Sequence, residues 1–301
     1  MLEAQDADGL WHVFYTHGLG HGGGAVAPGS YSHWVMEHDT LAPATLEALA
    51  LAAARWSRKP VIALVMPVYN TPERWLTRVI DSIRAQVYPH WELCIADDAS
   101  PHAHVRAVLE RYAAMDHRIK VAWRKENGHI SLATNSALEL VTAEFTGLLD
   151  HDDELPPHAL WCVAEMLVAH PDAEVVYSDE DKIDEGGTRF DPHFKPDWNP
   201  DLLDAQNYLS HLTVYRTATV RAVGGLRQGF EGAQDWDLAL RITEKTPAAR
   251  IHHIPRVLYH WRAIEGSTAA QLSEKSYTVQ AARRALEEHF ARTGAKVDLT
   301  L

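Results

Sequence analysis

The chain has 301 residues, of which 46% are hydrophobic and 23% charged. These proportions are typical of a globular protein and exclude disordered and low-complexity classes. With 28 Lys and Arg against 41 Asp and Glu, the net charge is −13. Because nucleic-acid binding depends on basic side chains that neutralise phosphates, this balance argues against a nucleic-acid partner. A phosphorylated small molecule stays allowed, since a divalent cation among a few carboxylates reverses the local sign.

The sequence shows no signal for export or membrane insertion. It contains no run of about 18 apolar residues, and its N-terminus is acidic, so we predict neither a membrane span nor a signal peptide. The two cysteines, Cys94 and Cys162, lie in apolar stretches and predict no disulfide. We therefore expect a cytoplasmic protein.

The first 59 residues differ from the rest of the chain and are interpreted as a lead-in segment. They contain a candidate strand at residues 10–16, a glycine cluster at 18–24 and a predicted helix at 43–56. Nothing in this segment has the pattern of a complete domain.

From residue 60 onward, short apolar runs alternate with amphipathic stretches. Strands are predicted at residues 61–66, 91–96, 119–123 and 145–149. Helices between them are predicted from Leu76, Val79, Ile80 and Ile83, from Val105, Val108, Leu109 and Tyr112, and over residues 127–140. Such alternation is typical of an α/β fold, a mostly parallel sheet flanked by helices. Ligands bind such sheets at the carboxyl ends of the strands.

The pattern becomes mixed beyond Pro156. We predict helices at residues 158–169 and 235–243, strands at 174–177, 209–215 and 251–261, and a closing helix at 271–292. A Pro- and Asp-rich loop is expected at 184–200, and its length favours a functional role.

Two adjacent carboxylates, Asp97 and Asp98, follow the second strand of the predicted sheet. At a strand end they could accept hydrogen bonds from a ligand or help hold a cation. The alternative is an acidic turn that caps the next helix, with Ser100 and Pro101 at its start. The motif alone leaves both interpretations open.

A second acidic motif, Asp-His-Asp-Asp-Glu at residues 150–154, follows the fourth strand and is the more specific signal. Because alternate residues at a strand end project to the same side, Asp150 and Asp152 could share one divalent cation. Without a cation, like charges this close would raise at least one pKa and reduce stability. A solvated acidic loop is the alternative.

A third motif, Gln-Asp-Trp-Asp-Leu at residues 234–238, opens a predicted helix. Asp235, held on a rigid element, could act as a general base toward an attacking hydroxyl. An Asp in the first turn of a helix is also stabilised by the helix dipole, so a purely structural role stays open.

In this order along the chain, the motifs resemble those of family-2 glycosyltransferases of the GT-A fold. The resemblance covers about residues 60–265 and rests on the segments 67–70 (Pro-Val-Tyr-Asn), 97–100, 150–152, 234–238 and 259–262 (Tyr-His-Trp-Arg). Residues 177–184, Tyr-Ser-Asp-Glu-Asp-Lys-Ile-Asp, further resemble the bacterial branch that builds O-antigen, rhamnan and other surface polysaccharides.

The resemblance implies a Rossmann-like, mostly parallel central sheet flanked by helices, with a smaller mixed half on the acceptor side. It divides the chain into a lead-in segment (1–59), a GT-A glycosyltransferase domain (60–265) and a C-terminal helical extension (266–301). Larger members of this branch carry further transferase domains, so a truncated version of such a protein is one expectation.

The resemblance also implies roles for individual residues. Asp235 would be the catalytic base, and Asp150, Asp152 and His260 would hold Mn²⁺ or Mg²⁺. The nucleotide-sugar donor would be bound by Pro67, Tyr69, Asn70, Asp97, Asp98, Arg124, Asn127, Asn135, Asp150 and His151. The sugar or the acceptor would be faced by Asp179, Asp181, Gln234 and Trp236.

The implied activity is metal-dependent, inverting transfer of a sugar from a UDP- or dTDP-linked donor to a bacterial surface glycan. dTDP-rhamnose is one candidate donor, and the acceptor would be a glycan or a lipid-linked glycan. The cation would stabilise the diphosphate leaving group while Asp235 takes the proton of the attacking hydroxyl. The closing helix carries both signs of charge, which predicts at most peripheral association with the inner face of the membrane.

Other functions remain as alternatives. A non-catalytic nucleotide-sugar-binding module would keep the pocket without turnover. A sugar nucleotidyltransferase is disfavoured, because residues 67–70 stand where a glycine-rich loop with Arg or Lys is expected. Gln234 stands where many relatives carry Glu, which changes the electrostatic surroundings of Asp235. The oligomeric state cannot be predicted from these patterns.

Overall fold

A central eight-stranded sheet with helices on both faces organises the protein. The computed structural model describes residues 2–5, 11–14, 29–264 and 276–297. The glycine cluster at 18–24 and the first residues of the predicted closing helix lie outside these described residues.

The strands are β1 (Leu2–Gln5), β2 (Trp11–Phe14), β3 (Ile62–Val68), β4 (Trp91–Asp97), β5 (Ile119–Trp123), β6 (Phe145–Leu148), β7 (Val175–Ile183), β8 (Arg189–His193), β9 (Thr213–Arg216) and β10 (Ile251–Arg262). The helices are α1 (Tyr31–Trp34), α2 (Pro43–Ala54), α3 (Glu73–Arg84), α4 (Ala103–Met115), α5 (His129–Glu139), α6 (Ala159–Ala169), α7 (Pro200–Ala205), α8 (Thr217–Ala222), α9 (Gln234–Thr243) and α10 (Ser276–Thr293). A π-helix, Val35–Asp39, continues α1, and a 3₁₀ turn, Ala248–Arg250, precedes β10.

The sheet order is β10-β7-β9-β6-β3-β4-β5, and β8 pairs with the C-terminal part of β7. Strands β6, β3, β4 and β5 run parallel to one another, and β7 runs parallel to β10. Strand β9 lies between β6 and β7 and is antiparallel to both. The α/β expectation of a mostly parallel sheet is therefore confirmed, and β9 joins its two parallel parts.

Strand β3 shows why the central strands read as continuous apolar runs. All seven of its residues are buried. Its side chains alternate between two cores, with Ile62, Leu64 and Met66 in one and Ala63 and Val65 in the other. A parallel strand covered on both faces by helices has no solvent side, so alternation of polar and apolar residues is lost.

The helical spacing predicted from apolar residues is confirmed. Leu76, Val79, Ile80 and Ile83 form the buried face of α3, each with no exposed surface. One face of the sheet is covered by α3, α4 and α6, and the other by α5, α9 and α10.

The second half of the chain differs from the expectation in several places, and β9 begins at Thr213 instead of the predicted residue 209. Strand β7 extends to Ile183, six residues beyond the predicted end, because the acidic residues Asp179, Glu180 and Asp181 are buried with partners. The predicted loop at 184–200 contains β8, which pairs antiparallel with β7.

Helix α7 was not predicted, although its signals are present in the sequence. Asn199 caps it by accepting a hydrogen bond from the Leu202 amide at 3.0 Å, and Pro200 occupies the first turn. Both residue types are favoured at those positions.

The lead-in segment packs closely on the sheet domain from α1 onward. The indole of Trp161 on α6 donates to the Leu49 carbonyl on α2 at 2.8 Å. Arg58 forms a two-oxygen ion pair with Glu144 at 3.0 Å. Ahead of these contacts, the predicted strand at 10–16 is represented by β2, which pairs antiparallel with β1.

A buried polar network ties the lead-in segment to the end of β7. The Tyr31 hydroxyl donates to Asp181 Oδ2 at 2.7 Å, and Arg189 Nε donates to the same oxygen at 2.5 Å. Arg189 also pairs with Asp39 at 2.5 Å. Burial, followed by the Asp181 charge, raises the pKa of Tyr31, so its phenol remains a donor. Asp181 therefore obtains one of its partners from outside residues 60–265.

Cys94 and Cys162 are both buried and free. Among the described helices, none is long and apolar enough to cross a membrane.

Tyr31→Phe is expected to lower the free energy of unfolding by about 1–3 kcal/mol, because it removes a donor from a buried carboxylate. Urea denaturation measures this difference. Tyr69→Phe is the matched control, since its side chain is 47% exposed. Equal stability of the two variants would show that the Tyr31 hydrogen bond contributes nothing.

Candidate active site

Three strained turns lie side by side at the carboxyl ends of β3, β4 and β5. Each contains a non-glycine residue with positive φ: Asn70 (51°), Ala99 (58°) and His129 (60°). Such conformations are unfavourable for L-residues and persist only where surrounding contacts impose them. One such contact is the hydrogen bond from the Asn70 amide to Ser100 Oγ at 3.0 Å, which joins the first two turns.

The two adjacent acids after β4 have different surroundings. Asp98 is buried and accepts from Arg124 Nε at 2.6 Å and from the Gly128 amide at 3.0 Å. Its carboxylate thus fixes the loop that follows β5. Asp97 Oδ1 accepts from the Ser100 amide at 3.3 Å, a bond within the turn. Helix α4 begins at Ala103 without a side-chain cap, so the structure does not support the helix-capping alternative.

Gly128 is a site residue that the sequence analysis missed. A Cβ at this position would lie 2.5 Å from Arg124 Nη2 and 3.0 Å from Leu132. Only glycine lets the guanidinium reach Asp98 while the amide of residue 128 donates to the same carboxylate.

The other predicted donor contacts fall into two groups. Pro67 is buried in β3, whereas Tyr69 is exposed and Asn70 is half-buried just beyond the end of this strand. The side chain of Asn127 donates to the Asp98 carbonyl at 3.3 Å. By contrast, the Asn135 amide group is committed to the protein, since it donates to and accepts from the Leu226 backbone at 2.7 and 2.9 Å.

Arg124 is likewise held by internal partners. Besides Asp98, its guanidinium donates to Ser136 Oγ at 2.5 Å and to the Leu132 carbonyl at 3.2 Å. The geometry gives this arginine a role in shaping the loop beside the pocket.

The acidic motif after β6 forms the centre of the site. Asp153 is fully buried, with Oδ1 accepting from the Arg262 amide at 2.7 Å and Oδ2 from the Tyr259 hydroxyl at 2.5 Å. That hydroxyl also accepts from the Asp150 amide at 3.2 Å. Tyr259 on β10 therefore joins both ends of the motif and sets the conformation of the backbone between them.

Asp150, Asp153 and His211 form the one group in the described residues whose ligand atoms could hold a metal ion, all within 4.8 Å of one another. His260, the histidine predicted for this role, is outside the group. Its Nδ1 lies 2.5 Å from Asp181 Oδ1, in the network that includes Tyr31. The histidine in this group is therefore His211 instead of the predicted His260.

The charges in this group favour a cation. Burial, with the charge of Asp152, raises the pKa of Asp150, and His211 opposes the shift. Burial and the charges of Asp152 and Asp150 raise the pKa of Asp153 well above its usual range. Carboxylate oxygens suit Mn²⁺ and Mg²⁺, and an imidazole nitrogen can complete such a set. The residues present therefore fit a divalent cation.

Asp152, the other predicted metal ligand, is not part of this group. Its backbone carbonyl accepts from Arg262 Nε at 2.7 Å, which anchors the loop. Its carboxylate is 3.7 Å from His151 Nδ1 and influences the pKa of both neighbouring acids.

Glu180 on β7 is a second residue that the sequence analysis missed. Its carboxylate accepts from the His211 amide at 3.1 Å and lies 3.2 Å from His211 Nδ1. Lys195, whose side chain is fully buried, lies 3.4 Å from the same carboxylate. Burial alone would raise the pKa of Glu180, but Lys195 and the two histidines His193 and His211 hold it well below its usual range.

The same surroundings affect His211. Burial disfavours its charged form, but Glu180, Asp150 and Asp153 outweigh burial and raise the pKa of His211 to about 9. In the absence of a metal ion, a proton on this ring supplies the positive charge that the acids favour.

Asp179 and Asp181 are buried in internal networks, which corrects the expectation that they face the sugar or the acceptor. Asp179 Oδ1 accepts from the Lys195 amide at 2.9 Å and lies 2.8 Å from His253 Nε2. Asp181 is surrounded by Tyr31, Arg189 and His260.

Asp235 lies in the first turn of α9, as predicted, and its Oδ2 accepts from Asn207 Nδ2 at 2.7 Å. Its charge contributes to the raised pKa of Asp150, so the two carboxylates lie within electrostatic range of each other. Gln234 Oε1 accepts from the Gly232 amide at 2.6 Å. Trp236 is buried and its indole donates to the Leu203 carbonyl at 2.8 Å, so it belongs to the core instead of the acceptor face.

Comparison with known proteins identifies the same family as the resemblance. The family model Glycosyl transferase family 2 matches residues 63–224. The chain is 54% identical over 242 residues to the uncharacterized protein y4gI of Sinorhizobium fredii, covering 80% of this chain and 27% of the relative. It is 41% identical over 258 residues to the O-antigen biosynthesis protein RfbC of Myxococcus xanthus, covering 86% and 20%. The chain thus spans about a quarter or less of the length of these relatives.

Solved structures show the same fold. TarS of S. aureus in complex with UDP-GlcNAc matches with a TM-score of 0.63 at 20% identity, covering 79% of this chain and 68% of TarS. The mannosyltransferase PcManGT of Pyrobaculum calidifontis, in complex with GDP-Man and Mn²⁺, matches with a TM-score of 0.54 at 19% identity, covering 85% and 77%. The expected GT-A fold is confirmed.

Glu180→Gln is expected to lower the free energy of unfolding by about 3–5 kcal/mol at pH 7, because it removes the carboxylate that pairs with the buried Lys195. The pKa of Glu180 is depressed in the folded state, so its contribution is complete above the ordinary value of 4.5 and is lost as the pH falls through the folded-state pKa. The stability difference should therefore shrink below pH 4.5.

Urea denaturation between pH 3.5 and 7 measures this difference. Glu185→Gln is the control, because Glu185 is 55% exposed in its pair with Arg74 and should change stability by about 0.5 kcal/mol or less. A Glu180→Gln effect that matched this control, or that did not vary with pH, would contradict the assigned ion pair.

Proposed function

The chain belongs to glycosyl transferase family 2, and from this premise we propose that it transfers a sugar from a UDP- or dTDP-linked donor to a bacterial surface glycan, with inversion at the anomeric carbon. The observation that carries the proposal is the convergence of Asp150 and Asp235 beside the three strained turns. Donor pocket, cation group and base thereby meet at one edge of the sheet, where ligands of such folds bind.

The donor nucleotide is assigned to the turns after β3, β4 and β5. Tyr69 and Asn70 offer an exposed ring and an amide whose buried Oδ1 has no hydrogen-bond partner among the described residues. Asp97 and Asn127 lie on the neighbouring turns and would contact the ribose or the base. Asp98 and Arg124 support this pocket by holding the loop in place.

The diphosphate is assigned to the motif after β6. Asp150 and Asp152 would hold Mn²⁺ or Mg²⁺, with His151 next to them on the same loop. The cation, when bound, stabilises the negative charge that develops on the leaving diphosphate. Support comes from the raised pKa of Asp150 and from the Mn²⁺ present with GDP-Man in the structure of PcManGT.

Asp235 is assigned as the base that takes the proton of the acceptor hydroxyl. Its position at the start of a rigid helix and the hydrogen bond from Asn207 fix one carboxylate oxygen and leave the other available. A single displacement with one base inverts the configuration, and no second carboxylate is placed as a nucleophile in this proposal.

The acceptor is proposed to be a growing surface polysaccharide or its lipid-linked precursor. RfbC is named for O-antigen biosynthesis, and the chain is 41% identical to it over 258 residues. A rhamnosyl donor is one candidate within this proposal. Because nucleotide sugars are cytosolic, we place the reaction at the cytoplasmic side of the membrane.

The domain arrangement is also a proposal. Residues 60–265 would form the transferase domain and residues 266–301 a helical extension. Residues 29–59 pack on this domain through α2 and the Tyr31 network, so the lead-in segment would act as part of the same unit.

Calorimetric titration with UDP, dTDP and GDP tests the donor pocket. UDP or dTDP is expected to bind about tenfold more tightly with Mn²⁺ than without it, because the cation neutralises the diphosphate. Asp152→Asn should remove this enhancement, whereas Asp172→Asn, on a side chain that is 65% exposed, should retain it. Failure of the folded protein to bind any of the nucleotides would overturn the proposal.

Asp235→Asn is expected to reduce sugar transfer by about 10²–10⁴-fold while the donor dissociation constant stays within about twofold. Transfer is measured by release of UDP or dTDP in the presence of acceptor. Asp201→Asn is the matched control, because Asp201 also occupies the first turn of a helix but is exposed. Full transfer by Asp235→Asn would remove this residue from the role of base. If the wild type bound the donor without turnover on any acceptor tested, a non-catalytic binding module would be favoured.

A further inference from the structure

One buried side chain at the centre of the site has no part in the proposed function. His211 precedes β9, and its side chain is only 17% exposed. Its ring stacks on Tyr259, with 4.5 Å between ring centroids and 18° between ring planes, and Trp261 lies 5.6 Å away. These contacts hold the ring in one plane beside the acidic motif.

The two ring nitrogens of His211 have different surroundings. Nδ1 lies 3.2 Å from Glu180 Oε2, and Nε2 lies 3.8 Å from Asp150 Oδ2. A carboxylate next to Nδ1 fixes the hydrogen on that nitrogen, so the neutral ring presents a lone pair at Nε2 toward the acids. Histidines that bind metals are commonly oriented in this way by a carboxylate on the other nitrogen.

We propose that His211 binds the divalent cation through Nε2 together with Asp150, and that Glu180 is the positioning residue that orients its ring. This inference rests on the proposed metal-dependent transfer and adds a nitrogen ligand to it. The ligand atoms of Asp150, Asp153 and His211 already lie within 4.8 Å of one another.

Glu180 is itself rigidly held, which is what a positioning residue requires. Lys195 Nζ lies 3.4 Å from its carboxylate and donates to the carbonyls of Leu209, at 3.1 Å, and of His211. Lys195 therefore fixes the carboxylate and the backbone of the histidine together. The amide of His211 donates to Glu180 as well, so ring and backbone are oriented by one acidic group.

The neighbouring histidines lack this arrangement. His193 also approaches Glu180, at 3.5 Å, but its side chain is 41% exposed and it is not in the group that could hold a metal. His260 is paired with Asp181 at 2.5 Å. His193 therefore serves as a matched control, since it shares the carboxylate without facing Asp150.

Pulsed electron paramagnetic resonance of the Mn²⁺-loaded protein, alone and with UDP, tests the ligand directly. We expect nitrogen modulation from an imidazole bound to Mn²⁺ in the wild type and in His193→Gln, and its loss in His211→Gln. The dissociation constant for Mn²⁺ should rise about tenfold or more in His211→Gln. Glu180→Gln, which removes the orienting carboxylate, should weaken Mn²⁺ binding and reduce the modulation.

The results separate this inference from the proposed function. Mn²⁺ bound without nitrogen modulation in the wild type would overturn the His211 ligand and leave metal-dependent transfer standing, and this result needs no variant to fold. Loss of the modulation in His151→Gln or His260→Gln, with retention in His211→Gln, would also overturn it. A wild type that binds UDP but no Mn²⁺ would overturn both the ligand and the metal dependence.

Discussion

Three consecutive acidic side chains, Asp179, Glu180 and Asp181, are buried on strand β7. The elements that pack around β7 are positioned by contacts with these three acids. Each has partners from other elements: Asp179 is bound by the Lys195 amide and His253, Glu180 by Lys195 and His211, and Asp181 by Tyr31, Arg189 and His260. A buried ion pair contributes little net stability, but a buried acid without its partner is strongly unfavourable. The strand therefore fixes where β8, β10, the chain before β9 and the lead-in segment can lie.

The contacts that satisfy these acids also shape the chemical centre. The interaction of Glu180 with His211 delivers that ring to Asp150, and β10, which pairs with β7, brings Tyr259 to Asp150 and Asp153. The hydrogen bond from the Asp150 amide to Tyr259 joins residues 109 positions apart. Stability and site geometry thus depend on the same few polar contacts, because a shift of β7 would displace the buried acids and the site residues together.

The elements that local signals encode were predictable from the sequence. These signals are the apolar runs of β3 and β4, the spacing of apolar residues in α3 and the acids at strand ends. Each depends only on residues close together in sequence, and the structure confirms the architecture that they predict. The end of β7 was missed because acidic residues are expected to be exposed unless their partners, here eight or more residues away in sequence, are known. For the same reason His211 carried no signal: its place depends on an antiparallel strand inserted between β6 and β7. His260 lies in a recognisable motif, but the register of β10 pairs it with Asp181.

The three buried acids on β7 also limit which substitutions this sequence can accept during evolution. Replacing Glu180 with a neutral residue removes the carboxylate that pairs with the buried Lys195, and replacing Lys195 first removes the buried cation that pairs with Glu180, so either single step is expected to destabilise the protein. Lasting change at such positions should come as coordinated pairs, with the acid and its partner exchanged together. The coupling reaches Tyr31 and Arg189 through Asp181. The lead-in segment and the sheet are therefore expected to be inherited as one module, and recombination between residues 39 and 181 would have to bring matching partners from both parents.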